Sequence, residues 1–190
     1  YWLLVEAPVV ASEGLYDLSV AFGSWTDLEV GAVQYSAIQA SDNMIVIDRS
    51  GSMAAAGKMA AAKNAARLHA DSWRNGDRIG VASFNQDASV DFALSNWTDA
   101  NADAAAGGIE SLIPAGATSI GDGLAAGLSE LIARGDASHA WSIVVLSDGM
   151  ENQSQSIQDF LTQYTSRKEA GQRVPMVHCL GLGPDANSEK

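Results

Sequence analysis

MIVIDRSGSMAAAGK, residues 44–58, runs four apolar residues in a row into Asp48, Arg49 and two serines separated by one glycine. Consecutive apolar residues that end in turn chemistry are the pattern of a strand buried on both faces. An alanine-rich stretch follows at once: GKMAAAKNAARLHADSW places Met59, Ala62, Ala66, His69 and Trp73 at helical spacing. A buried strand that enters a helix through a short polar junction opens an α/β unit. The junction itself has three chemical readings: a helix cap, a phosphate cradle or a hard-cation site.

The rest of the chain repeats the unit. RIGVASF (78–84), WSIVVLS (141–147) and VPMVHCLGL (174–182) read as further strands buried on both faces. ASVDFAL (88–94) alternates and follows closely, so it is expected to pair antiparallel at an edge. An Ala-rich helix is expected from about Asn101 to Leu112. Ile120, Leu124, Leu128, Leu131 and Ile132 mark another, and Ile157, Phe160, Leu161 and Tyr164 a third. The predicted fold class is α/β, a doubly wound, mostly parallel sheet with helices on both faces. Its ligand crevice should lie at the carboxyl ends of the strands, where strand order reverses, which is where Asp48 to Ser52 stand. Residues 1–41 differ. LYDLSVAF (15–22) and DLEVGAVQYS (27–36) alternate apolar and polar, predicting a β-rich extension, open to being part of a neighbouring domain, ahead of a domain over 42–190.

Composition narrows the function. Lys and Arg number 11 against 23 Asp and Glu, a formal charge of −12 in 190 residues, the opposite of a nucleic-acid binder. No stretch approaches the roughly 20 apolar residues of a membrane span. The first residue is Tyr1, so the chain reads as an excised fragment, and a missing leader says nothing about the parent protein. The single Cys179 excludes an internal disulfide and is expected as a buried, inert thiol.

Two of the three junction chemistries can be tested by spacing. A phosphate loop needs Gly, four residues and Gly-Lys-Ser/Thr; here five residues separate Gly51 from Gly57-Lys58 and Met59 replaces the hydroxyl. An aspartyl-phosphate enzyme would need a second aspartate at position 50, which is Ser50. Neither serine stands in a G-x-S-x-G frame. A hard divalent cation remains: Ser50 and Ser52, two apart on a tight turn, can aim hydroxyls at one point while Asp48 supplies charge. Ser52 as a helix cap is the competing reading.

Other strand ends offer more oxygen. IPAGATSIGDGL holds Thr118 in a glycine-bracketed loop before a helix, and IVVLSDGMEN puts Asp148 at the end of an apolar strand. D-x-S-x-S, a loop threonine and a strand-end Asp-Gly, in this order, resemble the von Willebrand factor A-type (vWA) domain and its metal-ion-dependent adhesion site, over about residues 42–190. The DRSGSM, GATSIGDGL and LSDGMEN stretches are most similar to A domains of the calcium-activated chloride channel regulator group and bacterial surface proteins. The resemblance implies that Ser50 and Ser52 ligate a metal directly, Thr118 does so in the ligand-competent state, and Asp48 and Asp148 bind directly or through water. It implies Mg²⁺, or Mn²⁺ or Ca²⁺, with one coordination position left for a carboxylate. It also implies a final helix and strand after GLGPDANSEK that this sequence does not contain.

The expected function is a non-catalytic, metal-dependent protein-binding or adhesion module that grips an Asp or Glu of a protein partner, secreted or at the cell surface. The alternative is an intracellular subunit regulating an ATPase, as in chelatase-type relatives. A metal-dependent hydrolase would need a positioned general base, and none is recognisable. Glu151, Asn152 and Asp122 are expected as solvated residues on the same rim. Arg49 either steers an acidic partner or faces solvent, and His69 and His178 are expected to serve packing.

Overall fold

The alternation of apolar side chains along MIVI explains the layers. In the computed structural model, which describes residues 14–17, 32–35, 40–73, 75–149, 151–152 and 156–182, Ile45 and Ile47 point to one face of a sheet and Met44 and Val46 to the other. The described residues fall in two units, one within Tyr1–Gln39 and one within Ala40–Lys190. In the first, β1 (Gly14–Asp17) pairs antiparallel with β2 (Ala32–Tyr35). The other residues of the expected β-rich extension up to Gln39 lie outside the described residues.

The second unit runs β3 (Ser41–Asp48), a 3-10 turn (Gly51–Ala54), α1 (Lys58–Asp71), β4 (Arg78–Phe84), β5 (Ala88–Asn96), α2 (Asp99–Glu110), α3 (Ile120–Arg134), β6 (Ala140–Ser147), α4 (Ser156–Glu169) and β7 (Met176–Gly181). The sheet order is β5-β4-β3-β6-β7, with β5 antiparallel to β4 and the remaining neighbours parallel. The chain first builds outward from β3 through β4 and β5, then returns to lay β6 on the other side of β3. Strand order therefore reverses at β3, and the carboxyl ends of β3 and β6 flank the crevice.

Helices cover both faces. Ile45, Ile47, Ile79 and Val81 meet Met59, Ala62 and Ala66 of α1 and Ala105 and Ile109 of α2. Met44, Val46, Phe84 and Ile143 meet Leu124, Leu128 and Leu131 of α3 and Phe160 of α4. The approach of α3 is close: a Cβ on Gly123 would stand 2.4 Å from Phe84 Cδ1. At the amino end of β3, fully buried Asp42 pairs with His139 Nδ1 at 2.7 Å and anchors the start of the strand.

One strand departs from expectation. β7 is not buried on both faces: Met176 and Leu180 are 65% and 49% exposed, and Cys179 and His178 are exposed too. It is an edge strand, bonded only to β6 in the sheet, so half of its pairing and much of its surface lack a neighbour among the described residues. Ile132 and Leu161 likewise lie toward solvent, on the flanks of their helices. Among the described residues, no helix is long and apolar enough to cross a membrane.

Candidate metal centre

Asp48 is the last residue of β3, and the chain turns sharply after it. The Ser50 N–H donates back to Asp48 Oδ1 at 2.7 Å, and the 3-10 turn that follows brings Ser52 round to the same side. The Ser50 and Ser52 hydroxyl oxygens are 3.1 Å apart, and Ser52 donates to Asp148 Oδ1 at 2.9 Å. Asp148 directly follows β6, so the parallel pairing of β3 and β6 carries it to this spot. Asp48, Ser50 and Asp148 are buried, whereas Ser52 is exposed, so the cluster opens to solvent on the Ser52 side. The cap reading of Ser52 fails: α1 is preceded by Gly57 in the left-handed region (φ 71°), with no side-chain cap, and the Ser52 hydroxyl is given to Asp148.

The donor set fits a hard divalent ion. Adjacent ligands of an octahedral ion held at about 2.1 Å stand about 3 Å apart. Ser50 Oγ to Ser52 Oγ and Ser52 Oγ to Asp148 Oδ1, at 3.1 and 2.9 Å, already have that spacing. Among the described residues, no three His, Cys, Asp or Glu side chains gather as metal ligands. The centre instead combines two carboxylates with neutral hydroxyls, which suits magnesium-like ions better than soft ones.

Thr118 is brought beside these four but not into their hydrogen-bond network. Its loop is stapled to the serine motif by Gly51 N–H to Gly116 O at 3.0 Å and Ala115 N–H to Arg49 O at 2.8 Å. Thr118 is buried, and a Cβ on Gly149 would lie 4.0 Å from its Oγ1. Among the described residues its hydroxyl bonds to none of Asp48, Ser50, Ser52 or Asp148.

The rim residues do more than face solvent. Asn152 accepts from the Thr118 N–H at 2.9 Å and returns its own backbone N–H to Thr118 O at 3.1 Å. Glu151 accepts from Gly121 N–H in the first turn of α3, and Asp122 accepts from the Ser119 hydroxyl at 2.6 Å. Together they fix the Thr118 loop. Arg49 turns back over the sheet, its Nε donating to Ser83 Oγ at 3.1 Å. His69 lies half-buried edge-on to Trp73, with ring centroids 5.0 Å apart.

Two further residues of this cluster have no place in the D-x-S-x-S pattern. Ser147 donates to Asp48 Oδ2 at 2.6 Å and accepts from Gly149 N–H, tying the two strand ends together. Its signal was a hydroxyl immediately before Asp148. Lys58 forms a buried ion pair with Asp148 Oδ2 at 2.7 Å. Burial pushes the Asp48 carboxyl above the usual carboxylate range, opposed by hydrogen bonds from Ser147 and Ser50 and reinforced by the Asp148 charge. Ionised Asp48 is thus held at a cost that a bound cation would offset.

Known proteins share this architecture. The chain is similar to a von Willebrand factor type A protein from Catenulispora acidiphila (22% identity, 82% of this chain and 35% of that one, TM-score 0.66). It is also similar to proximal thread matrix protein 1 from the mussel byssus, solved with a zinc-occupied metal-ion-dependent adhesion motif (24%, 75% and 36%, TM-score 0.59). A third likeness is to an aerotolerance-related membrane protein from Bacteroides fragilis (24%, 76% and 68%, TM-score 0.58). At these identities the likeness shows the fold, and the chain spans about a third of the length of the first two. No curated protein sequence matches it. The family model of the von Willebrand factor type A domain matches residues 43–151, more than half of the chain, from within β3 to just past Asp148, so the chain belongs to the von Willebrand factor type A domain family.

Proposed function

We propose that this domain is a non-catalytic binding module that holds one divalent cation and presents it to a carboxylate of a protein partner. The observation that carries the reading is the triangle-edge spacing of Ser50 Oγ, Ser52 Oγ and Asp148 Oδ1 above ionisable Asp48, open to solvent on the Ser52 side. Ser50, Ser52, Asp48 and Asp148 would hold the ion, with Thr118 able to join from the adjoining loop. Such an ion has few direct anionic ligands and stays electrophilic toward an incoming Asp or Glu. Oxygen ligands favour Mg²⁺, Mn²⁺ or Ca²⁺, although the motif of the mussel protein holds zinc. A grip on an acidic partner fits a surface or secreted protein of the channel-regulator or bacterial type.

Titration with Mn²⁺ followed by electron paramagnetic resonance tests this. One ion should bind, and acetate should lower the water relaxivity of the complex by displacing a coordinated water. The Ser50→Ala, Ser52→Ala double variant should lose the ion. Binding that persists in that variant would place the ion elsewhere.

A further inference from the structure

Lys58 is the first residue of α1, the end of a helix where a positive charge is disfavoured. Helix electrostatics therefore do not account for a buried lysine there. What it meets does: its Nζ lies 2.7 Å from Asp148 Oδ2, with the two side chains 7% and 1% exposed. The other oxygen of the same carboxylate, Oδ1, faces Ser52. Asp148 is thus divided, one oxygen toward the hydroxyl cluster and one neutralised from behind by an ammonium.

Resting on the metal reading above, we propose that Lys58 sets the charge of the centre, weakening its hold on the bare ion and making the loaded centre select an anion. Among themselves Asp48, Asp148 and Lys58 sum to one net negative charge. A divalent ion turns that to one net positive charge, and a single carboxylate then brings it to neutrality. Without Lys58 the loaded centre would already be neutral and would hold a carboxylate only by direct coordination. Arg49, bonded to Ser83, and Glu151, at the amino end of α3, keep their charges but are common to wild type and any Lys58 variant, so the comparison isolates Lys58. Burial keeps the Lys58 charge from being screened, so its effect reaches the ion.

The test uses Lys58→Gln, which removes the charge and keeps a donor for Asp148, and Lys58→Arg, which keeps the charge. Mn²⁺ affinity is read by electron paramagnetic resonance, and acetate affinity for the loaded protein by relaxation of ¹³C-acetate. Lys58→Gln should bind Mn²⁺ about tenfold or more tighter and acetate about tenfold weaker. Lys58→Arg should leave both within about threefold of wild type. A merely structural lysine would move both affinities the same way, and that result overturns the assignment, as do unchanged affinities in Lys58→Gln. Wild type that binds no Mn²⁺ overturns the metal reading and this assignment with it. If Lys58→Gln unfolds without metal, recovery of its melting transition in Mn²⁺ supports the charge role, and failure to recover overturns it.

Discussion

Asp48 shows how one side chain ties stability to the proposed function. Burial raises its pKa in the folded state above the ordinary 3.8, so the folded protein binds its proton more readily than the unfolded chain. Stability from this group is therefore complete below the unfolded value and is lost as pH rises through the folded one. At neutral pH and without metal, ionised Asp48 destabilises the fold. Asp48→Asn keeps an acceptor for the Ser50 N–H, and its amide can face the Ser147 hydroxyl, which can accept as well as donate. Metal-free Asp48→Asn should melt above wild type at pH 7, with the difference shrinking toward pH 4, and Mn²⁺ should no longer raise its melting temperature. A variant that melts below wild type across this range would show that the charged carboxylate is structural. At this scale the sequence brought out residues that the fold does gather, because Asp48, Ser50, Ser52 and Asp148 all stand at the ends of apolar strands. It did not disclose Ser147 or Lys58, whose roles depend on contacts across 99 and 90 residues that only strand pairing creates.

The elements were legible for a different reason. β3, β4 and β6 are buried on both sides of the sheet centre, so their apolar runs had to be nearly continuous, and the helices had to show one apolar stripe each. β7 has a similar apolar run but a different fate, because burial depends on what lies beside a strand and not on the strand's own composition. The glycines of α3 carry information that periodicity does not. Gly123 faces Phe84 and Val46, where a Cβ would stand 2.4 and 3.0 Å from their side chains. Gly123→Ala should therefore push α3 off the sheet and cost about 1–3 kcal/mol. Gly107 in α2 is exposed and has nothing within 4 Å of an added Cβ, so Gly107→Ala should stabilise by about 0.4–1 kcal/mol. Urea denaturation of both variants checks the pair. Equal effects in the two would show that α3 does not approach the sheet as closely as the side chains indicate.

Across the whole molecule, the formal charge of −12 would act on the two proposed binding steps in opposite ways. A divalent cation approaches down a favourable field, while a carboxylate must approach against it. Both long-range effects fade as salt shortens the screening length, from about 30 Å at 0.01 M to about 10 Å at 0.1 M. The attraction between the proposed ion and its ligands at contact would be screened far less, because Asp48, Ser50 and Asp148 are buried. Raising KCl from 0.01 to 0.1 M should therefore weaken Mn²⁺ binding several-fold. Over the same range, acetate affinity for the Mn²⁺-loaded protein should hold steady or rise, since the repulsion being screened is long-range and the attraction is local. Parallel titrations of the two ligands at each salt concentration measure both slopes. Acetate binding that falls with salt as steeply as Mn²⁺ binding would mean that the anion is drawn by an exposed basic surface instead of by the buried ion centre.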